Sequence, residues 1–318
     1  MSYSLHRGDL IGVIAPAGPV DPQRLALVPA LYEAQGWRAR IYPGCAERCD
    51  YLAGDDDTRL ADLHAALADP EVAAIHCIRG GYGSMRILDR IDAGLVRRAA
   101  KLLIGYSDIT ALHALWAQQG LASLHAPMPA SDLLQSGREA DRDAFFGLLR
   151  DGLVAGQTLA PTLDATAASL CRPGVAEGPL IGGNLSLVAA LLGTPWAWDA
   201  RGAILFLEDI NEEPYRVDRL LTQLRLAGVL EVAAGFVLGS FTEEASPMGL
   251  LQEMLGSLGK PVLAGWPSGH GTPNRPLPMG LKVQLKVQAG SLTLLQDFLR
   301  TGPSTSLPTG PGSLQPAK

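Results

Sequence analysis

A serine, an acid and a histidine each stand next to an apolar run that predicts a β-strand: Ser107, Glu208 and His270. Ser107 follows the predicted strand 102–105 at a turn into a predicted helix, where the helix N-terminus offers N–H groups to a developing oxyanion. The usual nucleophile turn carries a glycine two residues after its serine, but Ile109 occupies that position. From this motif alone, Ser107 fits a nucleophile and a plain helix N-cap equally well.

Glu208 and His270 supply the groups that a weakly nucleophilic hydroxyl needs. Glu208 comes directly after the apolar run 203–207 and could orient an imidazole, although the acidic run 208–213 also fits a solvated loop. His270 lies between two glycines just past a predicted strand, which gives it the exposure and reach of a general base. His125, at the end of another predicted strand, is the rival base. Serine, acid and histidine follow one another in the order of a known class of catalytic triads.

A glycine-rich segment, residues 79–83 with the sequence RGGYG, follows the predicted strand 72–78. Glycines at such a place let the backbone approach a ligand closely and present N–H groups to it. The spacing matches neither G-x-G-x-x-G nor the phosphate-binding loop with its lysine, which argues against a nucleotide site. A plain tight turn is the ordinary alternative.

The composition limits the partners of the protein. The net charge of −6 and the lack of a basic stripe argue against a nucleic-acid partner. The first ten residues do not resemble a signal peptide, and no apolar stretch approaches the roughly 20 residues that span a bilayer, so no membrane partner is expected. Cys45 and Cys49 lack the second ligand pair of a zinc site, so no metal or cofactor is predicted. Scattered thiols without a disulfide framework indicate the cytoplasm.

Short β-rich runs alternate with helical runs, which predicts an α/β fold with a parallel sheet and right-handed crossovers. The predicted strands are 10–15, 38–42, 72–78, 102–105, 203–207, 236–239 and 261–266, followed by a hairpin of 282–288 and 291–295. The predicted helices are 22–36, 57–68, 109–118, 142–149 and 214–227. Ligands of such sheets bind beyond the carboxyl ends of the strands, where the segments described above lie.

The same pattern predicts two domains. We expect an N-terminal nucleophile domain over residues 1–150, a linker over 151–177, and a C-terminal domain over 178–300 that carries the triad acid and base. The tail, residues 301–318, is rich in Pro, Gly and Ser and is predicted to be disordered.

Six sequence blocks carry a family resemblance. The blocks are residues 12–16 (GVIAP), 79–83 (RGGYG), 105–108 (GYSD), 182–184 (GGN), 206–209 (FLED) with 214–216 (PYR), and 269–271 (GHG) with Asn274. Together they resemble the LD-carboxypeptidases, the muramoyltetrapeptide carboxypeptidases of bacterial cell-wall recycling. The blocks occur in order between about residues 10 and 290, so the resemblance covers nearly the whole chain except its tail. Ala126 departs from the pattern, since the family has glycine there.

The resemblance implies a glutamine-amidotransferase-like N-terminal parallel-sheet domain and a smaller C-terminal α/β domain, with the active site between them. Ser107 then matches the family's nucleophile, Glu208 its triad acid and His270 its general base. The family commonly forms homodimers and needs no metal. The reaction that it implies removes the terminal D-alanine of a muropeptide tetrapeptide, at the bond that follows the L-centre of a diamino acid.

Substrate contacts are also implied or expected. By resemblance, the backbone N–H of Asp108 and that of Gly80 or Gly81 form the oxyanion hole. An exopeptidase must in addition bind the free carboxylate of its substrate, and Arg79 and Arg216 lie beside the motif segments. Either arginine could equally be a structural salt-bridge partner.

Two other functions stay open at the level of sequence. The microcin C self-immunity peptidases belong to a related branch that shares the triad and cleaves peptidyl-nucleotides, and Trp196 or Trp266 could stack on a nucleobase, although aromatic residues near a cleft more often serve packing. A non-catalytic peptide-binding protein could use the same cleft. Such a protein would have no need of all three triad partners.

Overall fold

The computed structural model describes residues 2–242 and 247–301. Apart from Thr301, the tail predicted to be disordered (301–318) lies outside the described residues. The strands within the described ranges are β1 (Tyr3–Ser4), β2 (Leu10–Ile14), β3 (Arg38–Ile41), β4 (Val72–Cys77), β5 (Leu102–Gly105), β6 (Ser123–His125), β7 (Thr158–Leu159), β8 (Val175–Asn184), β9 (Ile204–Ile210), β10 (Gly235–Thr242), β11 (Val262–Leu263), β12 (Leu277–Met279), β13 (Lys282–Lys286), β14 (Ser291–Leu294) and β15 (Leu299–Arg300).

The helices follow the predicted alternation with the strands. They are α1 (Pro22–Glu33), α2 (Asp56–Ala68), α3 (Ser84–Ile87), α4 (Ala93–Ala99), α5 (Thr110–Gln118), α6 (Glu139–Asp151), α7 (Leu185–Ala190), α8 (Pro214–Leu226), α9 (Val229–Val232) and α10 (Met248–Gly256). Helix α1 shows why the start signals in the sequence work. Asp21 accepts a hydrogen bond from the Gln23 N–H at 2.7 Å, and Pro22 occupies a position whose N–H would have no partner in the helix.

The first sheet has six strands in the order β12-β6-β5-β4-β2-β3. All neighbouring pairs are parallel except β12 and β6, which are antiparallel. Every residue of β2 and of β5 is buried, because helices cover both faces of the sheet and leave its central strands no contact with water. This sheet, together with the second one described next, confirms the predicted α/β fold with a parallel sheet.

The second sheet has seven strands in the order β11-β10-β9-β8-β13-β14-β7. Its half from β11 to β8 is parallel, and its half from β8 to β7 is antiparallel. The predicted hairpin is the pair β13 and β14, which turns at Gly290 with a φ of +58°. Strand β12 leaves this part of the chain to pair with β6, so the first sheet is completed by a segment from the second half of the sequence.

The segment predicted as a linker, residues 151–177, is not a free connection. It contains β7, which pairs with β14, and the first residues of β8. The Asp164 N–H also donates to the Gly265 carbonyl at 2.9 Å. Local sequence did not reveal these contacts, because they join residues more than a hundred positions apart. The domain boundaries themselves stay a prediction.

Candidate active site

Ser107 lies at the carboxyl end of β5, in a single helical turn (Ser107–Ile109) that leads into α5. Its φ is +64°, in the left-handed region that residues other than glycine rarely adopt. Such a conformation costs on the order of 1–3 kcal/mol and persists where the surrounding structure imposes it, often at functional sites. The hydroxyl on this strained turn meets His270, which lies in the segment between β11 and β12.

Ser107, His270 and Glu208 form a continuous hydrogen-bonded chain. The Ser107 Oγ lies 3.0 Å from the His270 Nε2, and the His270 Nδ1 lies 2.7 Å from the Glu208 Oε2. The His270 backbone N–H also donates to the same Glu208 oxygen, at 3.3 Å. With Nδ1 protonated towards the carboxylate, the Nε2 lone pair faces the serine hydroxyl. The structure therefore brings together the three residues that the sequence singled out.

Glu208 belongs to β9 rather than to a loop that follows the strand. The strand runs on to Ile210, and both Glu208 and its neighbour Asp209 are buried, so the acidic run is not a solvated loop at these two positions. Asp209 accepts hydrogen bonds from Asn184 and Ser186. The apolar run 203–207 underestimates the length of β9, because a carboxylate buried with hydrogen-bond partners can continue a strand.

The charge on Glu208 sets the protonation of His270. Burial of the ring lowers the pKa of His270, but the Glu208 carboxylate and its hydrogen bond act in the opposite direction and raise the pKa above its usual value. Asp209 and Asp132 add smaller contributions of the same sign. The site therefore stabilises the imidazolium that forms when a base takes a proton from serine.

The glycine-rich segment lies directly against the Ser107 side chain. A Cβ placed on Gly80 would lie 3.0 Å from the Ser107 Oγ and 3.5 Å from the Asp108 backbone nitrogen. Among residues 2–242 and 247–301, no acceptor binds the N–H groups of Gly80, Gly81 or Asp108. The Asp108 carboxylate accepts the Ser84 N–H at 2.8 Å and so ties the two segments together.

The two arginines expected to bind substrate lie in different surroundings. The Arg79 guanidinium is half-buried and donates to the carbonyl oxygens of Pro19 (2.9 Å) and Gly80 (3.2 Å), next to the oxyanion-hole candidates. Arg216 is exposed on α8, where it contacts Glu212 and the Tyr215 ring. The structure brings Arg79, but not Arg216, into contact with the segments around Ser107.

His125, the rival base, is fully buried, and neither ring nitrogen has a hydrogen-bond partner within the described part of the chain. Burial and the nearby charges of His113 and His270 lower the pKa of His125 well below its usual value. Its ring packs between those of Tyr106 (5.5 Å between centroids) and Phe206 (5.0 Å). His125 therefore packs against aromatic rings, and within the described ranges no hydrogen bond joins it to Ser107.

Ser240 contributes to the site and was missed in the sequence. Its Oγ accepts the Gly271 N–H at 2.8 Å and so holds the backbone beside His270. A Cβ on Gly269 would lie 2.8 Å from this Oγ and 2.5 Å from the Glu208 Oε2, which explains the glycine there. No signal in the sequence distinguishes Ser240, on β10, from the other serines of the chain.

The described residues contain no group of three or more His, Cys, Asp or Glu side chains placed to hold a metal ion. Over the same ranges, none of the helices combines the length and apolar character needed to cross a bilayer.

Comparison with known proteins identifies the family. The models of the LD-carboxypeptidase N-terminal and C-terminal domains match residues 11–126 and 177–285, respectively. The chain is 39% identical to a probable murein peptide carboxypeptidase of Bacillus subtilis, over 89% of this chain and 90% of that protein. The chain belongs to the LD-carboxypeptidase family. This membership confirms the predicted resemblance and the predicted class of enzyme, a peptidase.

Solved structures agree with this assignment. The muramoyltetrapeptide carboxypeptidase of Oxalobacter formigenes superposes with a TM-score of 0.81 at 30% identity, over 92% of this chain and 100% of that chain. The microcin C7 self immunity protein MccF superposes with a TM-score of 0.85 over 94% of this chain and 99% of that chain, but at 23% identity. The second likeness shows a shared fold alone.

Replacing Gly80 by alanine tests the close approach of the glycine-rich segment to Ser107. The new methyl group would lie 2.9 Å from the Ser107 Cβ, so either the serine or the Gly80 backbone has to move. We expect Gly80→Ala to lower kcat/KM by about 100-fold or more, the scale of losing one oxyanion donor, with little change in Tm. Gly147→Ala is the matched control, because the nearest atom to its new methyl group is the end of Arg150 at 3.9 Å. Equal activity of the two variants would contradict the geometry.

The raised pKa of His270 predicts the acid limb of activity. Because only neutral imidazole can accept the serine proton, kcat/KM should fall as the pH drops through a value above the ordinary histidine pKa of about 6.5. Glu208→Gln removes the charge that favours the imidazolium and should move the titration of His270 to lower pH. NMR titration of the His270 ring measures both values, with Glu212→Gln, whose carboxylate pairs with Arg216, as the control. An unchanged titration in Glu208→Gln would refute the assigned cause.

Proposed function

We propose that this protein is a serine LD-carboxypeptidase that removes D-alanine from muropeptide tetrapeptides by cutting the bond after the L-centre of a diamino acid. The observation that carries the proposal is the hydrogen-bonded chain from the Ser107 Oγ through His270 to the Glu208 carboxylate. Membership of the LD-carboxypeptidase family supports the substrate class. The roles of the individual residues are part of the proposal.

In the first half of the reaction, the His270 Nε2 takes the proton of Ser107 as its Oγ attacks the scissile carbonyl carbon. The Glu208 carboxylate holds the imidazole in the required tautomer and stabilises its positive charge. The carbonyl oxygen becomes an oxyanion, which the N–H groups of Asp108 and of Gly80 or Gly81 bind. These donors suit the role because no protein acceptor within the described ranges already occupies them.

In the second half, the proton on His270 passes to the nitrogen of the departing D-alanine, and the C–N bond breaks. A water molecule, deprotonated by the same Nε2, then attacks the acyl-enzyme at Ser107. The shortened peptide leaves with a new carboxylate, and the proton returns to the serine. Each proton that leaves an oxygen is thus delivered by His270 to the next leaving group.

Arg79 is the residue that we propose for the substrate's terminal carboxylate. Burial and then the positive charges of Arg24 and Arg48 lower the pKa of Arg79, and no carboxylate among the described residues pairs with it. Clefts of about 650 and 350 Å³ meet at this side chain. A carboxylate bound there would offset the repulsion between the three cations. Arg216 already pairs with Glu212 and is not needed for this role.

Cytoplasmic location and a homodimeric state complete the proposal. Cys45, Cys49, Cys77 and Cys171 are all free, which fits a reducing compartment. The homodimer rests on the family resemblance, and analytical ultracentrifugation of the purified protein tests it directly.

Hydrolysis of defined peptides tests the substrate class. We expect mass spectrometry to show loss of D-alanine from a muropeptide tetrapeptide and no change in the matched peptide that ends in L-alanine. A peptidyl-adenylate analogue tests the microcin C type of activity, and its preferential cleavage would replace the proposed substrate. Ser107→Ala should lower kcat by several orders of magnitude. Near-normal hydrolysis by Ser107→Ala would contradict the role of Ser107. A wild type that binds the peptide, leaves it intact and does not react with a serine-directed phosphonate would contradict the enzyme assignment.

Substrates with and without a free carboxylate test Arg79. The wild type should prefer the free acid of the tetrapeptide over its C-terminal amide by about 10- to 100-fold in kcat/KM, the scale of a charge-assisted hydrogen bond. Arg79→Met should lose most of this preference, because its kcat/KM falls for the free acid and stays the same for the amide. Arg216→Met is the matched control and should keep it. Full preference in Arg79→Met would assign the carboxylate to another residue.

A further inference from the structure

Arg138 is a nearly buried arginine that the proposed mechanism does not use. It directly precedes helix α6 and is only 9% exposed, so its charge is largely removed from water. Two buried carboxylates compensate for this. The Arg138 Nη2 donates to the Asp132 Oδ1 at 2.6 Å, and its Nε lies 2.6 Å from the Asp141 Oδ2 as an ion pair without hydrogen-bond alignment. A buried charge is costly unless it is paired, so this cluster calls for an explanation.

The remaining contacts of Arg138 reach the loop that carries His270. Its Nη1 donates to the Gly271 carbonyl oxygen at 3.1 Å and to the Thr272 hydroxyl. These are the two residues that follow His270 in the chain. The guanidinium therefore joins the α6 region to the backbone directly beside the proposed base, across more than 130 residues of sequence.

Asp141 holds the same loop from its other end. Its Oδ1 accepts the Asn274 N–H at 2.8 Å, and the Asn274 Oδ1 in turn accepts the Gly269 N–H at 3.0 Å. Gly269 precedes His270, so the residues on both sides of the base are connected to one buried ion cluster. Residues 264–276 form no helix or strand between β11 and β12, and side-chain contacts must fix their position.

The cluster also reaches the nucleophile. The Asp132 Oδ1 that pairs with Arg138 accepts the Tyr106 hydroxyl at 3.0 Å. Tyr106 precedes Ser107, and its ring centroid lies 4.9 Å from that of His270. The other Asp132 oxygen accepts the Met128 N–H at 2.8 Å, which fixes the carboxylate in place. One guanidinium thus connects the residue before the serine to the residue after the histidine.

We propose that Arg138 is a positioning residue for the reaction: it sets the separation between the Ser107 Oγ and the His270 Nε2 by holding both loops in one ion cluster. The inference rests on the proposed function. Glu208 fixes the rotation of the imidazole from the second sheet, whereas Arg138 fixes the backbone that carries it. A lysine could replace the charge but not the planar arrangement of donors that contacts four acceptors in different directions.

A purely structural ion cluster makes different predictions. Loss of such a cluster would lower Tm and leave the activity of the folded fraction unchanged. Loss of a positioning group lowers kcat in the folded protein and leaves KM nearly unchanged, because the substrate contacts are intact. A displacement of the reacting atoms by about 1 Å can cost about 100-fold in rate.

The experiment measures kcat, KM and Tm for Arg138→Ala and Arg138→Lys on the muropeptide tetrapeptide. We expect kcat to fall by about 100-fold in Arg138→Ala and by at least about 10-fold in Arg138→Lys, with KM within about threefold of the wild type. Guanidinium chloride at a non-denaturing concentration should restore kcat of Arg138→Ala by about 10-fold or more, and the same concentration of NaCl should not. Arg150→Ala is the matched control, since Arg150 lies on the helix that Arg138 precedes and, within the described ranges, its side chain hydrogen-bonds Gln35 alone, at the surface.

Several results would overturn the positioning role. One is a folded Arg138→Ala variant with kcat within threefold of the wild type. Another is a loss of kcat that guanidinium does not restore and that is accompanied by a change in KM of similar size. If Arg138→Ala does not fold, Arg138→Lys decides, and wild-type kcat in that variant overturns the inference. A wild type that neither hydrolyses the tetrapeptide nor reacts with the phosphonate overturns the proposed function, and the positioning role with it. A reactive wild type with unaffected Arg138 variants overturns the positioning role alone.

Discussion

The whole site depends on a hydrogen bond between two parts of the structure that fold around different sheets. Ser107 follows β5 of the six-stranded sheet, and Glu208 lies in β9 of the seven-stranded sheet, with His270 between them. The Ser107 Oγ and the His270 Nε2 are 163 residues apart in sequence and 3.0 Å apart in space. A contact of this length is sensitive to shifts of about 1 Å, so Ser107 and His270 stay in contact only if the two sheets are docked rigidly.

Close packing between the sheets provides this rigidity. A Cβ on Gly183 would lie 2.5 Å from the Thr110 Oγ1, so only glycine permits β8 to approach α5 this closely. The Asn184 N–H donates to the same Thr110 hydroxyl at 3.0 Å. The ring of His125 packs against Tyr106, which follows β5 of the first sheet, and against Phe206 in β9 of the second. Because burial keeps His125 neutral, it serves this packing without adding a charge near His270.

The sequence predicted the parts of this arrangement that depend on local pattern. Strand β5, the turn at Ser107 and helix α5 follow from an apolar run, a polar turn and a helical period. Glu208 and His270 are predicted from their places beside apolar runs, and the resemblance adds the matching roles. The sequence pattern did not predict the end of β9, because Glu208 continues the strand as a buried carboxylate. Nor did it predict the contacts of residues 151–177 or the Arg138 cluster. The contacts of residues 151–177 described above and those of Arg138 with Gly271 and Thr272 join residues more than a hundred positions apart, so local sequence patterns do not reveal them.

The missing glycine at position 109 shows that the space around a serine turn can be provided by residues elsewhere in the chain. A serine in the left-handed region needs free space around its turn, which the usual nucleophile motif provides two residues later. Here Ile109 is buried in the core and cannot provide it. Gly105 and Gly80 provide it instead. A Cβ on Gly105 would lie 3.0 Å from the Ile109 side chain, and one on Gly80 would lie 2.9 Å from the Ser107 Cβ. The space around Ser107 is thus supplied by Gly105, two residues before it, and by Gly80 in the neighbouring glycine-rich segment.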